Sequence, residues 1–396
     1  MADNRNWLLP EGVDELLPGQ AWALECIRRA TLDVFRSWGF EYIEPPLIEY
    51  LDALLVGSGN DLDLQTLKMV DQRSGRLLGV RADMSSQAAR IDAHSLAGDG
   101  VQRLCYAGNV VYANPPGVLE SRVPLKAGAE IFGAASLEAD AEVITLLLEV
   151  LHRAGARAPV LVLGHMGIYR ALVEPLLAHG VLGGAAEQTL FAAVQSKSQT
   201  DIAELLAAAA GPAAPAAALM VRLPTLMGRR EVLAEARAAL AGAPSGVDAA
   251  LDDLERLAAT VAARCPEVEV RFDLAELAGY GYHNGPVFAA FQADKGSAMA
   301  RGGRYDGIGA AFGRARPATG FDVNLKQLLA GAGGPRRAIW VPWESCASTS
   351  ARAHITTLRA AGEVVVCALS AAESVPADCD RILQPSGADW VVRPLS

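Results

Sequence analysis

Residues 168–263 contain almost no strand-like sequence, because alanine and leucine recur there at helical spacing. Strand-like segments stand on both sides of this stretch, at residues 158–167 and again at residues 287–292 and 298–305. This order predicts an α+β fold in which an antiparallel-rich sheet flanked by helices is interrupted by a helical insertion.

Two parts are predicted along the 396 residues, a length that suits two or three domains. The first is a core over residues 1–330 with the helical insertion at about 168–263. The second is a small α/β unit over residues 338–396, in which strand, helix, strand and strand follow one another. Helices are also predicted at residues 19–38, 85–96 and 139–154, and a hairpin from strands at residues 67–71 and 77–81.

Composition excludes several classes of protein. Hydrophobic residues make up 51% of the chain, which rules out wholesale disorder. A net charge of −10 argues against a general polyanion binder. The six cysteines have no metal-ligand spacing and indicate buried thiols in a reducing compartment, and the first residues lack a secretory signal pattern. We therefore predict a cytoplasmic protein with no metal and no cofactor.

One uncharged stretch, Leu205–Val221, approaches the length of a membrane span. It is mostly alanine, however, and Pro212 and Pro215 interrupt it. Because proline ends or kinks a helix, we expect two short helices around a proline-containing connection.

Several motifs remain ambiguous when each is taken alone. Residues 302–307, Gly-Gly-Arg-Tyr-Asp-Gly, fit a structural turn. Asp83 and Ser85 stand where a strand passes into a helix, and either caps that helix or accepts a ligand ammonium. Glu130 lies in an apolar strand and is either on an exposed face or a ligand contact. His283, between two tyrosines, is either structural or part of a cradle for a small aromatic ring.

Read in chain order, these pieces resemble the catalytic core of a class II aminoacyl-tRNA synthetase, specifically histidyl-tRNA synthetase, over roughly residues 8–330. The resemblance implies the fold and a homodimer formed through the first motif, around Phe40–Glu49. Five elements carry it in family order: residues 44–49; residues 69–85; residues 106–133; residues 279–288 with their companion 302–307; and residues 318–323.

The resemblance also implies that the adenylation chemistry is lost. Activation of an amino acid needs arginines on the ATP phosphates, because a guanidinium matches phosphate oxygens and stays charged. The three family arginines fall on Tyr112, Ala278 and Gln327, and a motif glutamate falls on Asn114. Since one missing electrostatic donor can cost about 10²–10³ in rate, we expect no adenylation. Lys326 neighbours Gln327, but it is expected to point elsewhere.

The amino-acid pocket is better preserved. By the resemblance, Asp83 replaces a glutamate and keeps a carboxylate for the ligand ammonium, whereas Glu130 faces the imidazole. Lys126 replaces a glutamine, and His283 replaces one of two paired tyrosines. The residues predicted to bind histidine are Asp83, Ser85, Lys126, Glu130, Tyr282, His283 and Tyr305.

A chain that keeps a histidine site and loses the ATP site resembles the regulatory subunits of ATP phosphoribosyltransferase, a family paralogous to the synthetase. That resemblance implies a non-catalytic protein of histidine biosynthesis that assembles with the short-form catalytic subunit and confers feedback inhibition by L-histidine. From Ala338 onward, four arginines, no lysine and six carboxylates leave a net charge of −2, which is unsuited to tRNA. The alternatives are an active histidyl-tRNA synthetase and a stand-alone histidine-binding module.

Overall fold

The computed structural model describes most of the chain and divides it into two compact units. One, the core unit, consists of residues 24–331 together with residues 1–15, and the other, the C-terminal unit, consists of residues 332–396 together with residues 16–23. The described residues are 8–56, 60–96, 98–114, 117, 120–277, 282–292, 296–329, 337–387 and 389–395.

The described strands and helices are numbered here in chain order. The strands are β1 (Glu41–Tyr42), β2 (Ile48–Tyr50), β3 (Leu67–Val70), β4 (Leu77–Val80), β5 (Gln102–Asn109), β6 (Leu125–Phe132), β7 (Pro159–His165), β8 (Met227–Gly228), β9 (Glu269–Asp273), β10 (Pro286–Gln292), β11 (Ala298–Arg304), β12 (Ala318–Asn324), β13 (Ala338–Val341), β14 (Val365–Cys367), β15 (Cys379–Ser386) and β16 (Asp389–Pro394). The helices are α1 (Gln20–Ser37), α2 (Leu51–Leu54), α3 (Asn60–Gln65), α4 (Ser85–Arg90), α5 (Leu137–Arg153), α6 (Met166–Ala178), α7 (Gly184–Gln195), α8 (Gln199–Leu205), α9 (Ala214–Arg222), α10 (Glu231–Ala239), α11 (Ser245–Arg264), α12 (Trp343–Cys346) and α13 (Thr349–Ala360).

A nine-stranded sheet forms the centre of the core unit, in the order β1-β5-β6-β12-β11-β10-β7-β9-β8. Among its described strands, only the pairs β1–β5 and β7–β9 are parallel, and the other neighbours run antiparallel. Helix α5 packs against β12 and α11, and its apolar side chains, such as Val143, Ile144 and Leu147, are fully buried. This mixed, mainly antiparallel sheet with helices confirms the predicted α+β fold.

The predicted hairpin is present as β3 and β4, which join β2 in a separate three-stranded sheet, β2-β4-β3. The prolines that follow β1 separate it from β2, so that the two strands belong to different sheets. Large apolar side chains on and beside the small sheet are exposed: Leu47, Ile48, Tyr50, Met69, Val70 and Leu77. Exposed apolar groups concentrated in this way indicate an interaction surface.

Helices α6 to α11 fill residues 166–264, and we call this region the helical subdomain. The uncharged stretch Leu205–Val221 falls on the end of α8, a 3₁₀ turn at Gly211–Ala213 and most of α9, which confirms two short helices around a proline-containing connection. No helix among the described residues combines the length and the apolar character needed to cross a bilayer.

The helix predicted at residues 85–96 is not a single α-helix. Helix α4 ends at Arg90 and continues as a π-helical turn, Ile91–Leu96. Asp92 of this turn is buried and pairs with Arg316 at 2.7 Å, so that a tertiary ion pair accompanies the change in winding. The N-cap position of α4 is Met84, so neither Asp83 nor Ser85 occupies it, although the Asp83 carboxylate accepts the backbone N–H groups of Met84 and Ser85.

The C-terminal unit contains a four-stranded sheet in the order β14-β13-β15-β16. Strand β13 runs parallel to both of its neighbours, while β15 and β16 form an antiparallel pair. Strand β15 was not predicted from the sequence, because Pro385 within it weakens the strand signal.

Candidate functional site

One face of the central sheet gathers the polar residues predicted for the pocket. Side chains alternate along a strand, so Lys126 and Glu130 of β6 project to the same face. The register places Gly320 of β12 opposite Glu130 and Asp322 two residues further along. On the other side of β6, Tyr106 of β5 shares this face. The sheet therefore brings two acids, a lysine and a tyrosine into one layer.

Two glycines make room for these side chains. Gly128 lies directly opposite Tyr106, and a Cβ at that position would overlap the tyrosine ring. A Cβ at Gly320 would overlap the Glu130 carboxylate. Both glycines are thus required by close approach of a neighbouring side chain.

Glu130 is the most deeply buried member of the site, with no exposed surface. Its carboxylate accepts hydrogen bonds from the hydroxyls of Tyr106, at 2.8 Å, and of Tyr305. The Tyr106 hydroxyl also lies 3.0 Å from Oγ of Ser85. Burial raises the pKa of Glu130 to about 8, although the two tyrosine hydrogen bonds act in the opposite direction. The alternative that Glu130 lies on an exposed face is wrong.

A second part of the site is charged. Lys126 Nζ lies 2.8 Å from Asp322 Oδ1 and 5.8 Å from the centre of the Tyr112 ring. Burial raises the pKa of Asp83, and the charge of Lys126 partly offsets this. Burial alone would lower the pKa of Lys126, but Asp322, Tyr112 and Asp83 together raise it above its usual value. Lys126 is therefore a fixed cation among carboxylates.

Aromatic rings form a wall beside Glu130. Tyr282 stacks on Tyr305 with ring centres 4.9 Å apart and an angle of 18° between the planes. His283 meets Tyr282 edge-on at 4.8 Å. Burial lowers the pKa of His283 to about 4, so the imidazole is neutral at pH 7. Its Nδ1 lies 3.2 Å from the Arg304 carbonyl, which can only accept, so the proton is on Nδ1.

The motif at residues 302–307 holds this wall in place. Arg304 reaches α5, where Nη2 and Nε donate to Asp140 Oδ2 at 2.7 and 3.1 Å. Asp306 accepts a hydrogen bond from Asn284 Nδ2 at 3.1 Å. The prediction of a turn over the whole motif is wrong, because Gly302–Arg304 belong to strand β11 and only Asp306 and Gly307 form a turn. The motif positions Tyr305 between these two anchors.

All seven predicted histidine-binding residues lie in described parts of the chain. Hydrogen bonds and ring contacts link five of them. The Tyr106 hydroxyl joins Ser85 to Glu130, and Tyr305 joins Glu130 to Tyr282 and His283. Asp83 and Lys126 interact by charge at the other part of the site. The prediction missed Tyr106 and Asp322. Both lie beside Gly128 in the neighbouring strands, on the same face of the sheet as Glu130, and only the strand register reveals this.

The structure describes two of the three positions at which the family arginines are missing. Tyr112 is buried beside Lys126, and its backbone N–H donates to the Arg122 carbonyl at 2.8 Å. Gln327 lies on the 3₁₀ turn Leu325–Leu329. Ala278 lies outside the described residues.

Lys326, the neighbour of Gln327, is engaged elsewhere. Its Nζ lies 3.0 and 3.1 Å from the two carboxylate oxygens of Asp14 and 3.4 Å from Oγ of Ser121. The expectation that this cation points away from the position of the third arginine is consistent with these contacts.

Two family models match the chain. The model described as histidyl-tRNA synthetase matches residues 12–328, and the model described as ATP phosphoribosyltransferase subunit HisZ C-terminal domain matches residues 336–393. A solved histidyl-tRNA synthetase from Nostoc sp. PCC 7120 has the same fold, with a TM-score of 0.76 over 96% of this chain and 91% of that chain at 16% identity. The fold and the site therefore place the chain in the class of proteins that resemble histidyl-tRNA synthetase and share its class II synthetase fold.

Full-length relatives narrow this class. The chain is 47% identical over 403 residues to the ATP phosphoribosyltransferase regulatory subunit of Pseudomonas syringae pv. syringae (strain B728a), covering 100% of both chains. A solved structure titled ATP phosphoribosyltransferase regulatory subunit/histidyl-tRNA synthetase, from Bacillus halodurans C, matches with a TM-score of 0.79 at 26% identity, over 93% of this chain and 94% of that one. The chain belongs to the family of ATP phosphoribosyltransferase regulatory subunits, which confirms the predicted resemblance.

Proposed function

We propose that the chain is the non-catalytic regulatory subunit of ATP phosphoribosyltransferase, acting in the cytoplasm at the first step of histidine biosynthesis. The observation that carries the proposal is its 47% identity, over the whole length of both chains, to a protein of that name. In this proposal the chain assembles with the short-form catalytic subunit, does not bind tRNA and conveys feedback inhibition by L-histidine.

The geometry of the site supports histidine as the effector. Glu130 offers a buried acceptor to an imidazole N–H, and Tyr282 and Tyr305 supply flat rings beside it. Asp83 carries the carboxylate for the α-ammonium, and Lys126 the cation for the α-carboxylate. A free amino acid is a zwitterion, so a pocket with separate anionic and cationic groups matches both of its ends.

Feedback then requires a difference in affinity between two states of the assembly. Histidine that binds one state more tightly shifts the equilibrium by that difference, and the catalytic partner responds to the shift. In this proposal residues of the regulatory chain form the histidine pocket, so the effect on the partner is transmitted rather than produced by competition for substrate.

The proposal predicts that the purified chain activates a separately purified short-form catalytic subunit, and that added L-histidine inhibits the mixture. Phosphoribosyl transfer is measured with each subunit alone and with both together, over a range of histidine concentrations. The Glu138→Gln variant, which changes an exposed carboxylate on α5, serves as the control and should behave as the wild type. Equal activity of the catalytic subunit with and without this chain would contradict the regulatory role.

The same purified chain is expected to form no histidyl-adenylate, because Tyr112 and Gln327 stand where two of the phosphate-binding arginines are needed. Histidine-dependent exchange of pyrophosphate into ATP is the measurement, with an active histidyl-tRNA synthetase as the positive control. Exchange above background that follows this protein through purification would favour the active synthetase instead.

A homodimer is expected through the exposed apolar face of the small sheet. Ile48, 45% exposed on β2, is a suitable probe, because a charge there would be buried without a partner in the dimer. Ile48→Glu is expected to sediment as a monomer at micromolar concentration, where the wild type sediments as a dimer. Leu177→Glu, at an exposed leucine of α6, is the matched control. A monomeric wild type would refute the dimer.

A further inference from the structure

Two described stretches between the end of β9 and the start of β10, residues 273–277 and 282–285, are here together called the pocket segment, and the second stretch forms part of the pocket wall. On its later side, Tyr282 and His283 pack against Tyr305, which donates a hydrogen bond to Glu130. The position of this segment therefore decides where the aromatic wall stands relative to the buried acid.

The helical subdomain holds the pocket segment on both sides. On the earlier side, the Lys197 ammonium pairs with the carboxylate of Asp273, and Gln195 Nε2 donates to the Leu277 carbonyl at 2.9 Å. On the later side, Arg170 Nη2 donates to the His283 carbonyl at 2.8 Å. These partners come from α6, α7 and the turn that follows α7, all within the subdomain.

The Lys197–Asp273 pair involves a buried carboxylate. Asp273 is only 6% exposed, and its other carboxylate oxygen accepts the N–H of Ala275 at 3.1 Å. One carboxylate thus joins the subdomain to the backbone of the pocket segment. Removing the cation would leave a buried carboxylate with one partner fewer, and the segment would move to regain solvent or another donor.

Lys197 also occupies a backbone position that suits other residues better. Its φ is +59°, in the left-handed region that glycine and asparagine adopt more readily than residues with longer side chains. Its N–H donates to the Val194 carbonyl at 3.0 Å at the end of α7. The turn by itself therefore gives no reason for a lysine, whereas the contact with Asp273 does.

We propose that Lys197 is a positioning residue that couples the helical subdomain to the amino-acid pocket through its ion pair with Asp273. The inference rests on the proposed histidine site and adds the element that sets the position of its aromatic wall. Movement of the subdomain would then change histidine affinity, and bound histidine would in turn restrain the subdomain, because such coupling is reciprocal.

The test compares Lys197→Asn, which tolerates the backbone conformation and removes the cation, with Lys197→Arg, which retains the charge. Lys197→Asn is expected to weaken histidine binding by about 3- to 30-fold in calorimetry, with a melting temperature close to that of the wild type. Lys197→Arg should restore most of the affinity. Arg237→Asn is the matched control, since it removes an exposed ion pair with Asp252 inside the same subdomain.

Two further measurements separate coupling from a purely structural role. Hydrogen exchange without ligand should become faster at the amides of Leu274 and Ala275 in Lys197→Asn but not in Arg237→Asn. The double variant Lys197→Asn/Asp273→Asn should bind no more weakly than the worse single variant, because the two residues act as one pair.

The outcomes distinguish this inference from the proposed function. If the wild type binds histidine and Lys197→Asn binds it equally well, the coupling is refuted and the histidine site stands, even where hydrogen exchange becomes faster. If the wild type does not bind histidine, both the site and the coupling that rests on it are refuted. Lost affinity in Lys197→Asn that Lys197→Arg does not restore also counts against the ion pair.

Discussion

Glu130→Gln is expected to stabilise the ligand-free protein at alkaline pH. Burial raises the pKa of this carboxyl from 4.5 to about 8 in the folded chain, so between these values the folded state holds a proton that the unfolded state has released. Stability therefore falls as the pH rises from about 4.5 to 8, by an amount on the order of 5 kcal/mol for so large a shift. Glutamine carries no charge and escapes this loss.

Thermal melts of the wild type and Glu130→Gln at pH 5.5 and pH 8.5 check this expectation. The variant should melt at a higher temperature than the wild type at pH 8.5, and the difference should shrink at pH 5.5. Glu138→Gln, at an exposed position of α5, should show no comparable pH dependence. A difference that is the same at both pH values would mean that Glu130 keeps an ordinary pKa in the folded chain.

The same variant is expected to lose histidine affinity, because Glu130 is the proposed acceptor for the imidazole N–H. Glutamine replaces one acceptor oxygen by an NH2 donor, so the imidazole N–H and the hydroxyls of Tyr106 and Tyr305 would compete for the one oxygen that is left. The donor left unpaired should cost roughly 1–3 kcal/mol, or about ten- to a hundred-fold in affinity. Asp83→Ala should weaken binding of every amino acid alike, because it removes the partner of the ammonium group, whereas Glu130→Gln should weaken histidine in particular. Calorimetry with histidine and alanine separates the two. Unchanged histidine affinity in both variants would place the effector elsewhere.

Much of the fold could be predicted because its signals are local. The periodicity of α1 and α5 and the turn between β3 and β4 lie within single short stretches of sequence, and each element is present where the pattern placed it. The change from α-helix to π-helix within residues 85–96 could not be predicted in this way. Asp92 meets Arg316 across 224 positions, and no local pattern records that partner.

The candidate site likewise contains residues that the sequence could indicate and residues that it could not. Glu130 was noticed because a carboxylate stands out in an apolar strand, and the family resemblance supplied the other pocket residues. Tyr106 and Asp322 were missed because their place depends on which strands pair and in what register. Only the register shows that both share the face of Glu130, with Gly128 leaving the space between them. Burial, which gives Glu130 its unusual pKa, likewise follows from packing alone.

Arg304→Met is expected to destabilise the protein by about 3–5 kcal/mol, because it leaves Asp140 charged and buried without its partner. Asp140 is 1% exposed, and Arg304 provides both of the side-chain hydrogen bonds to its Oδ2 atom. Arg304 also donates to the carbonyls of Ala134 and Ser136, at 3.1 and 3.0 Å, so its loss affects the start of α5 as well. Denaturant unfolding of the wild type and the variant measures the change.

The double variant Arg304→Met/Asp140→Leu shows which part of this effect belongs to the stranded charge. Replacing both partners by apolar groups removes the buried carboxylate, so much of the lost stability should return. Histidine affinity should not return with it, because Tyr305 directly follows Arg304 and depends on that anchor to meet Glu130. Additive losses in the double variant would show that packing around Arg304, rather than the charge of Asp140, sets its contribution. Recovery of stability without recovery of binding would separate the role of Arg304 in the fold from its role in placing the aromatic wall.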